Sequence, residues 1–499
     1  MNATYVFNPD YVLKNDLDKI LLYSQREAVG EVPLWASFIH PVQAMILSFF
    51  THDRTFEQNL GEIADFLDKD TDSVRTLLSQ FIENEEPLKC QWNGSTIRFP
   101  RQVLINKEKV RQGTNPFRNL SVEEFICKFP MDTKERRVNT MPLRFTFMLT
   151  NKCVTRCKYC YADTQTRTGR QLPTERILAL IREASEIGLQ DINLIGGEIF
   201  LHKDWDIILA ELKKHQFEPN LISTKYPLTE EMIGRLEEIG VTSTIQISMD
   251  AADSRILRDS LEVGENYLDN IKNCVALLDG SKLRYHVSTV LTKYNIGEQA
   301  LTQMFDFLKT LKRIEYWELR VAMNSIYKSE FEKIKLRKDE IDRAYDFIKK
   351  KIIPATDMKI TLDESTPNKS YYTAEQGSES FDGAQCSALN SHMFILPDGQ
   401  VTICEQLYWN PRFIIGDVTN QSISEVWSSP RALELVHLKR ESIQKGSRCR
   451  TCGIFENCFN KAKNRCWADI IKAYGDENWD FPDPRCNKAP SMTFNLGFQ

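Results

Sequence analysis

The sequence predicts an α/β protein organised around a partial (β/α)6 barrel, an incomplete relative of the TIM barrel. Between Leu143 and about Arg320, six short apolar segments alternate with amphipathic segments of helical period. The first segment has the period of two that a strand requires, and Thr174 opens a helix that Gly188 ends. The chain before this region mixes strands and helices, and the chain after it is rich in cysteine. The six expected strands are 143–150, 192–195, 220–223, 244–248, 285–291 and 315–320.

The composition is that of a globular protein with several domains. A chain of 499 residues has room for about two to four of them. The net charge of −5 argues against a nucleic-acid partner, and every apolar stretch is too short to cross a membrane. The first residues lack the basic and apolar pattern of a secretion signal, so we expect a cytoplasmic protein. Thirteen cysteines in that compartment indicate metal binding rather than disulfides.

Residues 1–105 are expected to form a winged-helix-like domain. Two short strands precede three helical stretches, and a hairpin with its turn at Asn93-Gly94 follows as the wing. Winged helices often bind DNA, but residues 1–110 carry 11 Lys and Arg against 16 Asp and Glu, which disfavours that role. The apolar face predicted for the third helix consists of Val74, Leu77, Leu78 and Phe81.

Three further regions follow this domain. Residues 106–140 are polar and of mixed charge, so we expect a linker with one short helix near residues 122–129. Residues 141–355 contain the partial barrel, and residues 356–499 form a cysteine-rich domain. Because the side chains that carry chemistry in β/α barrels lie at the carboxyl ends of the strands, the functional site is expected there.

The most informative motif directly follows the first barrel strand. Cys153, Cys157 and Cys160 have the spacing CxxxCxxC, and three thiolates on one loop can hold three corners of a [4Fe-4S] cluster. A structural zinc loop is the alternative, although zinc sites usually use paired CxxC or Cys/His knuckles and no histidine is near. With Tyr159 before the third cysteine, the motif resembles that of the radical S-adenosylmethionine (radical SAM) family. In that family the fourth iron binds SAM, and one electron cleaves it to a 5′-deoxyadenosyl radical.

The resemblance implies a set of SAM-contacting residues at successive strand ends. Gly196-Gly197-Glu198 follows the second strand where the family has Gly-Gly-Glu-Pro, with Ile199 in place of the proline. The carboxylate in this motif is expected to bind the SAM ammonium group. Arg258 is the expected partner of the SAM carboxylate, with Arg255 as the rival. The remaining residues expected to bind the cofactor are Tyr159, Ser223, Thr224, Ser248, Asp250 and Asn295.

Seven cysteines near the C-terminus form the second strong signal. Their pattern, with Gly399-x4-Cys404 and Cys449-x2-Cys452-x5-Cys458, resembles the SPASM domain, which binds two auxiliary [4Fe-4S] clusters. The resemblance assigns three cysteines to the first cluster and leaves its fourth ligand open. The step Cys458-x7-Cys466 is longer than the usual Cys-x3-Cys, and a zinc site is again the alternative. The first group is Cys386, Cys404 and Cys466, and the second is Cys449, Cys452, Cys458 and Cys486.

The N-terminal domain resembles the peptide-recognition element of enzymes that modify ribosomally made peptides. Residues 7–13 followed by a Leu21-Leu22-Tyr23 strand carry this likeness, which implies that a leader peptide adds a strand to the small sheet. The expected function is hydrogen abstraction from a precursor peptide to install a thioether or carbon–carbon crosslink. It uses three [4Fe-4S] clusters, SAM, and a reductase, flavodoxin or ferredoxin as electron donor. The alternatives are a formylglycine-forming protein maturase and a redox-sensing iron–sulfur DNA-binding protein.

Overall fold

The computed structural model describes most of the chain and separates it into two compact units, Met1–Thr140 and Met141–Gln499. The described residues are 4–26, 34–92, 95–110, 119–132, 135–164, 166, 170–327, 331–369, 371, 386–461 and 465–498. Within these ranges, no helix combines the length and apolar character that a bilayer crossing requires.

The first unit combines seven strands and three helices in its described part. The central sheet has the order β2-β3-β4, while β1 pairs with β7 and β5 pairs with β6, all antiparallel. The strands are β1 (Tyr5–Phe7), β2 (Tyr11–Asn15), β3 (Ile20–Ser24), β4 (Ala36–Ile39), β5 (Leu88–Trp92), β6 (Ser95–Phe99) and β7 (Leu104–Asn106). The helices are α1 (Pro41–Ser48), α2 (Phe56–Leu67) and α3 (Thr71–Ser79).

Local sequence explains where these helices begin. Thr55 accepts a hydrogen bond from the Gln58 amide at the start of α2, and Asp70 accepts one from the Ser73 amide at the start of α3. The predicted wing is present as the β5–β6 hairpin, and its turn residues, Asn93 and Gly94, lie outside the described residues. Of the predicted apolar face of α3, Val74 and Leu78 are buried, whereas Leu77 at its margin is 42% exposed.

The described part of the segment expected to be a linker packs within the first unit. Its helix is a single 3₁₀ turn, Val122–Phe125, and the Phe125 side chain joins the core of this unit. Further along, the Asn139 amide donates to Asp16 Oδ2 at 2.8 Å, and the Thr140 hydroxyl donates to Asp16 Oδ1 at 2.9 Å. These contacts attach the described part of the segment to the N-terminal unit.

The second unit contains the partial barrel that the sequence predicts. Each of the six expected strands is present to within two residues at each end. They are β8 (Arg144–Met148), β9 (Asp191–Ile195), β10 (Leu221–Thr224), β11 (Thr244–Ser248), β12 (Tyr285–Leu291) and β13 (Trp317–Val321). The helices of this region are α4 (Thr174–Glu186), α5 (Trp205–Lys214), α6 (Glu230–Ile239), α7 (Ser254–Leu261), α8 (Tyr267–Gly280), α9 (Glu298–Leu308), α10 (Phe331–Ile334) and α11 (Lys338–Phe347).

The sheet hydrogen bonds extend beyond these six strands on both sides. One parallel sheet runs β10-β11-β12-β13 and continues into β14 (Ile360–Leu362). The other contains β8 and β9, and β15 (His392–Ile395) from the cysteine-rich region pairs parallel with β8. The C-terminal region therefore contributes a strand to the barrel sheet. Its remaining elements are β16 (Gln400–Thr402), β17 (Ile414–Asp417), α12 (Ile423–Trp427), α13 (Pro430–Val436) and α14 (Trp467–Tyr474).

Candidate active site

The loop of three cysteines, residues 150–160, directly follows β8 and is termed the cysteine loop. The Arg156 amide donates to the Leu261 carbonyl at 2.8 Å, and the Lys158 amide donates to the Ser260 carbonyl at 3.1 Å. These two bonds attach the loop to the last turn of α7, whose final carbonyl groups have no partner inside the helix. The loop is therefore held at the carboxyl end of the barrel strands, as the sequence predicts.

Within the loop, the thiols of Cys153 and Cys157 flank one hydroxyl group, and Cys160 is hydrogen-bonded to Cys157 through the backbone. The Thr155 hydroxyl oxygen lies 3.5 Å from Cys153 Sγ and 3.2 Å from Cys157 Sγ, and the Cys160 amide donates to the Cys157 carbonyl at 3.1 Å. Burial raises the pKa of Cys157 to about 12, while the nearby Lys225 ammonium acts in the opposite direction. A donor set of three sulfurs suits an iron–sulfur cluster, in which each cysteine binds a different iron.

In the part of the chain that the structure describes, no three His, Cys, Asp or Glu side chains are grouped closely enough to hold a single metal ion.

Gly197 allows the β9 loop to contact the cysteine loop. Its amide donates to the Thr150 carbonyl at 2.7 Å. A Cβ at this position would lie 2.3 Å from the Lys152 carbonyl oxygen and 2.6 Å from that of Asn151. At Gly196 the corresponding distance to the Thr150 oxygen is 3.0 Å. The Gly-Gly pair thus permits a close backbone approach that no other residue allows at Gly197.

Glu198 is buried next to the residues that follow β10. Its Oε2 accepts hydrogen bonds from the amides of Lys225 at 3.0 Å and Tyr226 at 3.1 Å. Burial raises the pKa of Glu198 to about 7, although bonds from the Thr224 side chain and these amides favour the charged form. The carboxylate therefore changes its charge near neutral pH and is preorganised by the backbone.

Asp250, at the end of β11, forms the most densely bonded group of the site. The Tyr159 hydroxyl donates to its Oδ2, Lys225 Nζ donates to the same oxygen at 2.9 Å, and the Val290 amide donates to Oδ1 at 3.0 Å. Lys225 and Asp250 form an ion pair whose side chains are 12% and 2% exposed. We call Tyr159, Lys225 and Asp250 the charged clamp, because it joins the cysteine loop to two strand ends.

Lys225 is a residue that the sequence analysis missed. Its place directly after Thr224 at a strand end was the only available signal. A lysine after a strand is common on protein surfaces, so the sequence alone does not distinguish it from a solvated side chain.

Ser223 and Ser248, the predicted hydroxyl residues, are neighbours at the ends of β10 and β11. Their hydroxyl oxygens are 3.4 Å apart, and Gln246 Nε2 donates to both, at 2.7 Å and 3.1 Å. Thr224 is buried, and its hydroxyl accepts a hydrogen bond from the Tyr226 amide at 2.8 Å. The hydroxyls of Ser223 and Ser248 are thus available at the mouth of the barrel, whereas that of Thr224 supports a turn.

Two other predicted residues have different surroundings. Asn295 is buried, and its amide nitrogen donates to the carbonyls of Asp250 at 2.8 Å and Val290 at 2.9 Å. It therefore positions the backbone next to the charged clamp. Arg258 lies on α7 with its side chain 40% exposed and 3.7 Å from Glu265, and its rival Arg255 is more exposed and pairs with Asp253.

The structure brings the first predicted cysteine group together. Burial, the Asp469 carboxylate and the thiols of Cys386 and Cys404 all raise the pKa of Cys466. Burial raises the pKa of Cys404 to about 12, and the Cys386 thiol adds to this. Cys404 Sγ also accepts the Gln406 amide at 3.4 Å. Cys466 joins this group although seven residues separate it from Cys458.

The second predicted group is likewise assembled. Burial raises the pKa of Cys449 to about 12, with further contributions from Cys486 and Cys458. Lys488 connects two members, since its Nζ donates to Cys452 Sγ at 3.2 Å and its amide donates to Cys486 Sγ at 3.4 Å. Positive charge and N–H donors directed at sulfur are features that stabilise cluster thiolates.

Family comparisons match the two regions that carry these cysteines. The model of the radical SAM superfamily matches residues 147–308. The model of the SPASM iron–sulfur cluster-binding domain matches residues 386–453. The chain therefore contains one region that matches the radical SAM superfamily and one that matches the SPASM domain. Both predicted cysteine regions therefore lie in or next to recognised iron–sulfur domains.

Curated relatives share only part of their length with this chain. A probable GTP 3′,8-cyclase of Archaeoglobus fulgidus is 32% identical over 110 residues, which are 22% of this chain and 36% of the relative. The sporulation killing factor maturation protein SkfB of Bacillus subtilis is 25% identical over 197 residues, which are 40% of this chain and 47% of the relative. The chain thus spans about a third to a half of the curated relatives that it matches.

One solved protein resembles nearly the whole chain in fold. The structure of Streptococcus suis SuiB bound to its precursor peptide SuiA has a TM-score of 0.59 and 14% identity, covering 97% of this chain and 99% of that one. SuiB bound to S-adenosylmethionine gives a TM-score of 0.60 at 15% identity, covering 96% of this chain and 99% of that one. The likeness includes the N-terminal unit, the barrel and the cysteine-rich region.

Proposed function

We propose that this protein is a radical SAM enzyme that modifies a ribosomally made precursor peptide. The single observation that carries the proposal is the combination, in one chain, of a radical SAM core and an acidic unit of winged-helix type. The radical SAM core alone does not define the substrate, since one relative is a probable GTP cyclase. The maturation protein SkfB and the peptide-bound SuiB support a peptide as the substrate class.

Cys153, Cys157 and Cys160 are the residues that would hold the SAM-binding cluster. Such a cluster, with one iron free of protein ligands, supplies the electron that cleaves SAM to a 5′-deoxyadenosyl radical. The chain provides three thiolates for it, a hydroxyl between two of them, and the Gly197 contact that fixes the loop. These residues fit the donor set in number and in chemistry.

The strand-end residues would bind and orient SAM. The Glu198 carboxylate is suited to an ammonium group because it is buried and already held by two amides. The hydroxyls of Ser223 and Ser248 are suited to a ribose, since both are hydrogen-bonding groups at the barrel mouth. The charged clamp would keep Tyr159 and the cysteine loop in register with these groups.

The N-terminal unit would hold the leader region of the peptide. Its three-stranded sheet ends in β2 and β4, and an extended peptide can add to such an edge through main-chain hydrogen bonds. Residues 1–110 carry five more acidic than basic residues, which favours a leader with basic side chains and disfavours nucleic acid.

The seven C-terminal cysteines would hold two auxiliary [4Fe-4S] clusters, which gives three clusters in total. Forming one new bond in the peptide requires the removal of two hydrogen atoms. The radical derived from SAM would take one of them as a hydrogen atom, and the other would leave as a proton to solvent. An oxidised auxiliary cluster held by these cysteines would supply the acceptor for the remaining electron. A flavodoxin, ferredoxin or reductase in the cytoplasm would supply the electron that cleaves SAM.

The test is turnover of the precursor peptide by the anaerobically reconstituted enzyme with SAM and dithionite. The expected result is 5′-deoxyadenosine together with a peptide whose mass is lower by that of two hydrogen atoms, and a much slower reaction when the leader is removed. A matched control is the Cys153/Cys157/Cys160→Ala variant, which should give neither product. Efficient turnover of leader-free protein to formylglycine would contradict the proposal and favour the alternative maturase.

A further inference from the structure

Arg465 is a buried cation that the proposed mechanism does not use. It directly precedes Cys466 and lies in the unusually long step after Cys458. The residue is only 4% exposed. Its guanidinium carbon lies 3.1 Å from the centroid of the Phe459 ring and 4.3 Å from that of Trp467. Its Nη1 donates to the Phe459 carbonyl at 2.7 Å. These contacts hold the guanidinium in one orientation.

Two nitrogen atoms of this guanidinium have no partner in the described part of the chain. Among the described residues, Nε and Nη2 of Arg465 are buried and have no hydrogen-bond acceptor. An unsatisfied charged donor is unfavourable in a protein interior, and native proteins rarely retain one without a compensating ligand. The Asp483 carboxylate does not fill this role, since it accepts both the Arg485 guanidinium and the Cys466 amide.

Members of both cysteine groups lie near this cation. Arg465 and Cys386, a member of the first group, line the same small cavity together with Trp467. Burial lowers the pKa of Arg465 to about 9, and the thiols of Cys458, Cys449 and Cys386 act in the opposite direction. One guanidinium thus lies near two members of the second group and one of the first.

We propose that Arg465 is a positioning residue shared by the two auxiliary clusters, donating its Nε and Nη2 hydrogens to cluster sulfur and raising their reduction potentials. This inference rests on the proposed clusters. A [4Fe-4S] cluster held by thiolates is anionic and becomes more so when reduced. A fixed cation and N–H donors stabilise the reduced form more than the oxidised form, and the dry surroundings limit screening. Arg465 therefore makes the auxiliary clusters better electron acceptors.

The experiment compares Arg465→Gln, Arg465→Lys and the control Arg448→Gln in full-length protein lacking Cys153, Cys157 and Cys160. Arg448 is the matched control because it directly precedes Cys449 but is exposed. The iron content of each protein is measured, and the midpoint potentials of its clusters are determined by redox titration monitored by electron paramagnetic resonance. With about eight irons retained, R465Q is expected to shift the midpoint potentials of both auxiliary clusters to more negative values. R465K is expected to shift them less, and R448Q is expected to match the parent.

Each other outcome is decisive. Unchanged potentials in fully loaded R465Q would overturn the proposal, and so would an equal shift in R448Q. Loss of iron from both Arg465 variants, with R448Q fully loaded, would also overturn it, since the residue would then be needed to build the sites. If R465Q loses iron but R465K stays fully loaded, R465K decides the question. A more negative midpoint potential in R465K supports the hydrogen-bonding role of Arg465, and an unchanged potential contradicts this role. A parent protein with zinc and no reducible signal would instead refute the auxiliary clusters.

Discussion

At the scale of single residues, Gly197 controls the position of the cysteine loop. We expect Gly197→Ala to displace this loop, because its Cβ would overlap the carbonyl oxygens of Lys152 and Asn151. The variant should lose about four irons per chain and keep about eight, as measured by iron analysis after anaerobic reconstitution. Gly234→Ala is the control, since its Cβ meets no atom within 4 Å in α6. Full iron content in G197A would contradict the prediction.

The charge of the Glu198 carboxyl group leads to a second prediction at this scale. Burial raises the pKa of its carboxyl group to about 7, so the group is mostly neutral below that pH and mostly charged above it. Binding of the SAM ammonium group should therefore tighten as the pH rises through about 7. Equilibrium binding of SAM to the loaded enzyme, measured between about pH 6 and 8, tests this. Glu198→Gln should bind weakly and without this pH dependence, and an identical profile in E198Q would contradict the assignment.

At the scale of secondary-structure elements, the charged clamp joins the cysteine loop to the ends of β10 and β11. Lys225→Met would leave the Asp250 carboxylate buried without its cation, which typically costs about 3–5 kcal/mol. Chemical denaturation should show a loss of that size. The control is Lys350→Met: its exposed pair with Asp346 should contribute less than about 1 kcal/mol. Equal stability of K225M and the parent would show that the clamp is not structural.

The elements also show what the sequence can and cannot predict. The six barrel strands were predictable because each is a short apolar run between turn signals, and Gly188 marks a helix end through its positive φ. The pairing of β15 with β8 was not, because it joins His392 to Arg144 across a long stretch of chain. Local periodicity carries no information about such a partner. Lys225 was missed for a similar reason, since its partners come from other strands and from the cysteine loop.

At the scale of the whole molecule, the ten cysteines expected to bind clusters lie in two regions of one compact unit. The cysteine loop lies at the barrel, the other two groups lie in the C-terminal region, and β15 connects that region to the barrel sheet. The other three cysteines are Cys90, Cys127 and Cys274, and Cys274 is fully buried in the apolar core, where a thiol packs as a small apolar side chain. The distribution implies that the cluster groups can be removed separately.

The metal content of the whole protein tests this division. After anaerobic purification we expect about twelve irons and about twelve sulfides per chain, falling to about eight of each in the Cys153/Cys157/Cys160→Ala variant. Replacing Cys452 and Cys486 by Ala should likewise remove about four, because both belong to the second group and share Lys488. Cys274→Ala is the control and should keep all of the irons, since its thiol lies in the apolar core.

About four irons accompanied by zinc, with the zinc retained in the cysteine-loop variant, would contradict the auxiliary clusters while leaving the radical SAM core intact. The C-terminal region would then be structural, and an electron acceptor outside the protein would be needed.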